Sequence, residues 1–226
     1  MKTYRAYSLV EMLITIFIFG IVMLITTQTL TTLIRVSAVT KSKTITRTEA
    51  DYIIELVDRL FTNSNIADVY IYESSEYREY SEDEGLITVG DVNNPPYHSS
   101  LGEGVSGNEI HFRPYGYSVW VCLGYFENED NSRGYFLKRT LDDEDLDVHE
   151  DCFNPGDLDN PPIILHADDI DVNNFSVMYI RSSILNNIFY VDLELEPIYW
   201  IPGDRQTIER SVFRNAVITT RGLTWY

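Results

Sequence analysis

Residues 8–25 form an almost wholly apolar run, and a single carboxylate, Glu11, stands inside it. About 18 apolar residues are enough for a membrane helix. The run follows Lys2 and Arg5, basic residues that belong on the cytoplasmic side of a membrane. A secretory signal has the same gross layout. Two features oppose that reading. Thr26, Thr27 and Gln28 close the run, where a small-x-small cleavage site would stand. The second is Glu11 itself, because a charge within hydrocarbon costs roughly 3 kcal/mol and calls for a partner.

The segment Ala6-Tyr7-Ser8-Leu9-Val10-Glu11-Met12-Leu13-Ile14 resembles the processing motif of type IV prepilins. That family includes type IV pilins, minor pilins and type II secretion pseudopilins. The resemblance implies that a membrane aspartyl peptidase, the prepilin peptidase, cuts between Ala6 and Tyr7. Tyr7 then becomes the N-terminus and is N-methylated. Gly20 matches a glycine common in the family's helix. Ala6 replaces the usual Gly and Tyr7 the usual Phe. The implied partners are other pilin-like subunits, the peptidase, an inner-membrane assembly platform and membrane lipid.

Glu11 has a physical role beside the resemblance. Cleavage exposes an ammonium at Tyr7, four residues or one helical turn from the carboxylate. Between axially staggered helices, the carboxylate of one can meet the ammonium of the next. Either charge alone is costly in hydrocarbon, so pairing selects the register between subunits. The alternative is a lone Glu snorkelling to the interface.

No Pro or Gly occurs between Gly20 and Gly85, so the helix is expected to continue past the membrane to about Phe61. Ile45, Tyr52, Ile53, Leu56 and Leu60 recur at mostly helical spacing and predict a stripe covered by the rest of the chain. Asn63 and Asn65 read as the stop. Beyond it the sequence predicts strands over 66–72, 86–89, 108–112, 117–126, 134–139, 163–166, 175–181, 188–195 and 206–220. Phe189, Val191, Leu193 and Leu195 alternate with polar residues, as in a half-buried strand. Residues 127–134 read as a hairpin tip, and 93–96 and 160–162 as proline loops. The expected fold is α+β: a long N-terminal transmembrane and assembly helix packed on a mainly antiparallel β-sheet head. The expected divisions are a leader (1–6), the helix (7–61) and an exported head (62–226). The order of elements resembles the J-type minor pseudopilins and W-type minor pilins. Gln28 stands where major pilins carry a Pro.

Cys122 and Cys152 are the only cysteines. In a head outside the cytoplasm they are expected to pair and staple the polar segment between them. The formal net charge is −18, and residues 1–60 carry seven cations against five carboxylates, so the acidity lies in the head. An acidic head repels phosphate backbones, which argues against nucleic acid as a partner. Residues 141–147 are a carboxylate run that could hold Ca²⁺ but lack the EF-hand pattern, and a solvated loop is the simpler reading. His98, His111, His149 and His166 show no metal-ligand spacing, and residues 104–107 are not a Gly-x-Ser-x-Gly elbow. No catalytic residue, metal or cofactor is therefore assigned. Two functions follow: a structural subunit at or near the tip of a pilus-like or pseudopilus fibre, or an anchored extracytoplasmic binding module that never polymerises.

Overall fold

The computed structural model describes residues 8–73, 77–89, 97–98, 103–114, 116–130, 132–142, 152–153, 161–183, 186–198 and 210–221. The first element is the helix α1 (Leu9–Thr62), 54 residues or about 80 Å long. Its threonines do not break it, because their hydroxyls turn back onto the helix. Thr15 Oγ1 donates to the Glu11 carbonyl at 2.7 Å, and Thr26, Thr27, Thr29, Thr31 and Thr32 bond in the same i−4 manner. The helix stops at Asn63, whose Nδ2 donates to the Arg59 carbonyl while Ser64 Oγ donates to that of Phe61. Those bonds occupy carbonyls that the last turn leaves open.

The strands are β1 (Ser64–Tyr72), β2 (Arg78–Ser81), β3 (Gly85–Thr88), β4 (Tyr97–His98), β5 (Ser106–Gly107), β6 (Glu109–Pro114), β7 (Val119–Glu127), β8 (Gly134–Asp142), β9 (Ile163–Ile164), β10 (Ile170–Ser183), β11 (Asn186–Pro197) and β12 (Val212–Arg221). They form a six-stranded sheet in the order β4-β1-β6-β7-β8-β9, a four-stranded sheet β12-β11-β10-β5 and the hairpin β2-β3. Every pairing among the described strands is antiparallel. The α+β architecture expected from sequence is the one observed.

The main core lies between α1 and the two larger sheets. Phe61 sits at its centre, with its ring 5.2 Å from Phe112 of β6 and 5.0 Å from Phe189 of β11. Phe189, Val191, Leu193 and Leu195 are all buried, as their alternation requires. The helical stripe agrees with the expected one at Ile53 and, half-buried, at Leu56 and Leu60, and differs at its other positions. The buried positions are Val39, Thr46, Ala50, Ile53, Val57 and Phe61, while Ile45 and Tyr52 are exposed. Thr46 and Ala50 are small enough to bring the helix axis close to the head. The large residues on neighbouring faces are therefore left outside.

A second core lies on the opposite face of the six-stranded sheet. Trp120, Cys122, Phe126, Tyr135 and Leu137 are covered there by Leu86 of the β2-β3 hairpin and by Cys152 and Phe153. With both faces covered, β7 is buried along nearly its whole length. Three short strands, β2, β4 and β5, were not expected from sequence. The predicted strand over 206–220 begins only at Val212, and residues 206–209 lie outside the described residues.

Candidate functional site

Ala6 and Tyr7, the expected cleavage and methylation positions, lie outside the described residues. Glu11 is described, and it occupies the first turn of α1. Around it Val10, Met12, Leu13 and Ile14 are all exposed. The exposure continues through Val36, and no helical residue before Val39 is buried. The helix is long and apolar enough to cross a membrane by length and composition. Its first half therefore offers an uncovered apolar surface with one carboxylate in it.

The second half of the helix is tied to the head by packing and by charge. Arg214 of β12 reaches Asp51 with two bonds, Nε to Oδ1 at 2.5 Å and Nη2 to Oδ2 at 3.5 Å. Arg59 and Glu55 pair one turn apart on the helix. The bidentate geometry fixes how the edge strand β12 lies along α1.

Cys122 and Cys152 are joined by a disulfide, with Cα atoms 6.1 Å apart. Cys122 comes from the middle of β7 and Cys152 from the covering segment, so the bond pins that segment to the sheet. Phe153 then stacks edge-on against Phe126 at 5.1 Å and lies 5.8 Å from His111. Gly124 makes room for this: a Cβ there would stand 2.6 Å from the Phe126 ring and 3.1 Å from that of Phe153. Much of the chain between the cysteines is the β7-β8 hairpin itself, closed in register from Val119–Asp142 to Glu127–Gly134.

A polar cluster lies under this cap. The antiparallel register places His111 opposite Cys122, and Cys122 opposite Arg139. Glu109 Oε1 lies 2.6 Å from His111 Nε2 and 3.4 Å from Arg78 Nη1, and all three residues are buried. Arg139 Nη1 donates to the Cys152 carbonyl at 3.0 Å. The charge set is one carboxylate among cationic and imidazole groups, which lowers the cost of burying it. His111, Cys122 and Cys152 bring their donor atoms within 4.8 Å of one another, the spacing of a metal site. With the two sulfurs bonded to each other, neither is a thiolate, and the arrangement serves as a structural knot. The cluster is not legible in the sequence: Glu109 and His111 share one face of β6, but Arg78, Cys122 and Arg139 reach them only through the tertiary fold. Of the acidic run considered for Ca²⁺, only Leu141 and Asp142 lie among the described residues.

At the other end of the sheet, Arg133 and Tyr135 both donate to Glu82 Oε1 at 2.8 Å, which ties the β2-β3 turn to β8. Burial and the bond to Glu82 push the Tyr135 hydroxyl up to about 12. His166 packs beside the Tyr135 ring, and burial holds its pKa below the ordinary 6.5.

Residues 1–27 match the family model described as the prokaryotic N-terminal methylation motif. No curated protein and no solved structure matches the chain. The match spans the basic flank, Glu11 and the apolar run, and it assigns no subclass. The chain thus carries the N-terminal motif of type IV prepilin-like proteins, and that motif opens an apolar helix that runs unbroken into an antiparallel β head.

Proposed function

We propose that this chain is a pilin or pseudopilin subunit, a structural protein rather than an enzyme, that enters a fibre at or near its tip. In this account the prepilin peptidase cuts between Ala6 and Tyr7, and Tyr7 is methylated. The mature helix holds the chain in the cytoplasmic membrane with the head outside. An assembly platform then draws it out among other pilin-like subunits. Gln28 leaves the helix unbroken where major pilins carry a Pro, which favours a minor subunit of the J or W type.

One observation carries the reading: Glu11 stands on a helical half whose apolar residues the head leaves uncovered. A lipid anchor needs the apolar residues but not the carboxylate. A staggered bundle of like helices needs both, because the carboxylate neutralises a neighbour's ammonium. Glu11→Gln keeps the shape and removes the charge. Losing one partner of a buried pair costs about 3–5 kcal/mol. The variant should be cleaved, fold and reach wild-type membrane level, yet be lost from sheared fibres and from crosslinks to partner pilins. Normal incorporation of Glu11→Gln would overturn the proposal and leave an anchored binding module.

A further inference from the structure

A ring nitrogen of His111 and the sulfurs of Cys122 and Cys152 all lie within 4.8 Å of one another. A structural disulfide does not call for that imidazole. It is apolar enough to sit among rings alone, and Phe126 and Phe153 already share its core. Yet His111 is fully buried beside both sulfurs, and it brings with it the buried carboxylate of Glu109, 2.6 Å from Nε2. Burying polar and charged groups is costly, and the sulfur–sulfur bond does not need them.

The fold presents these donors as a metal site requires. His111 and Cys122 face each other across β6 and β7, so both stand on a paired sheet that holds them in place. Cys152 alone comes from the covering segment. The His111 ring is packed by Tyr72, with centroids 4.3 Å apart, and by Phe153 at 5.8 Å. Glu109 stands against that ring and outside the set of three donors. A carboxylate beside Nε2 favours a proton there and leaves the lone pair on Nδ1, the way ligating histidines are commonly oriented. Two thiolates and an imidazole suit a thiophilic d¹⁰ cation, Zn²⁺ or Cu⁺, and not the hard ions that take oxygen. Arg139, whose Nη1 donates to the Cys152 carbonyl, offers a positive charge to offset the anionic sulfurs.

We infer that His111, Cys122 and Cys152 bind a thiophilic d¹⁰ cation whenever the two sulfurs are not bonded to each other. Metal and disulfide are then alternative fastenings for the segment that carries Cys152 and Phe153. The chain passes through the dithiol state before its first oxidation. On metal binding, the two thiols release their protons to solvent and each sulfur bonds the ion. On oxidation, both sulfur–metal bonds break and the sulfur–sulfur bond forms. The two electrons pass to a disulfide oxidant, which takes up two protons and leaves as a dithiol, and the ion departs with its charge unchanged. All three ligands are fully buried, so ion and oxidant reach them only when the covering segment lifts. The site does not depend on the fibre-subunit reading.

The test uses the full chain in detergent, isolated with its disulfide intact, reduced with a phosphine and then freed of the phosphine without air. Zn²⁺, and Cu⁺ supplied as a chelate, are titrated in separate arms against a competing chelator. The reduced chain should bind Zn²⁺ or Cu⁺ stoichiometrically, and the oxidised chain should bind neither. X-ray absorption of the zinc-loaded wild type should show two sulfurs at about 2.3 Å and nitrogen at about 2.0 Å. Cuprous-loaded chain should show the same two sulfurs and nitrogen. Glu109→Gln should weaken binding by about 10–100-fold, and His111→Gln by more. Both variants are first checked for folding in oxidised form by denaturant unfolding. If either fails to fold, the wild-type ligand set decides. Either ion bound by two sulfurs and nitrogen supports the inference. No stoichiometric binding beyond that of a chain with Cys122→Ser and Cys152→Ser would overturn it. So would sulfur ligation without nitrogen, or unchanged affinity in a folded His111→Gln chain.

Discussion

His166 shows how one side chain couples this head to pH. Its Nδ1 lies 3.0 Å from the Ala167 carbonyl and its ring packs beside Tyr135. Burial is the main reason its pKa falls below 6.5, with the nearby Arg133 guanidinium adding to the shift. In the unfolded chain the imidazole takes its proton near the ordinary value, while the folded head resists it. The unfolded state therefore binds more protons as pH falls through about 6.5, and stability drops. The contribution is complete above about 6.5 and is lost on the way down to the depressed folded value. Thermal melts between about pH 8 and pH 5 should show this loss. His166→Asn should flatten that part of the profile, and an unchanged slope in the variant would assign the effect elsewhere. At the same scale, Gly134 permits a close approach that no other residue would, since a Cβ there would stand 2.0 Å from the Val172 carbonyl oxygen.

Among the elements, the segment carrying Cys152 and Phe153 depends most on a single bond. The disulfide closes a loop of 30 residues, worth about 3.5–4 kcal/mol by chain entropy. Replacing both cysteines by serine should lower stability by about that amount in denaturant unfolding. It should also red-shift the emission of Trp120, which is fully buried under the same cap. A double variant with wild-type stability and emission would show that packing alone holds the segment. Non-reducing peptide mapping should link the two cysteines in exported protein. The elements also show what the sequence could reveal. The absence of Pro and Gly marked the length of α1, and the alternation from Phe189 to Leu195 marked β11. The helical stripe was read correctly at Ile53 and misread at Tyr52, where apolar size was weighed above fit: Tyr52 is large and exposed, whereas Ala50 is small and buried. Strand β2 was missed because Arg78, Glu79 and Tyr80 carry no apolar alternation, although Arg78 is buried. The Arg78–Glu109–His111 cluster was illegible for a related reason. A charged residue reads as exposed unless its partner is known, and here Arg78 lies on β2 while Glu109 and His111 lie on β6.

The whole molecule divides by what covers it. From Val39 onward α1 buries a stripe against the head, and before that point its residues stand uncovered. Membrane and neighbouring helices are the two covers such a surface fits, and in the proposed reading Glu11 selects neighbours. The head is held by a disulfide on one face of its larger sheet and a continuous core on the other. All of this presupposes that the chain is processed as a prepilin. Intact-mass analysis of the protein from native membranes tests that most directly. The account predicts a mature chain that begins at Tyr7 and carries one added methyl group. A chain that retains residues 1–6, or one cut after residue 25, would contradict it.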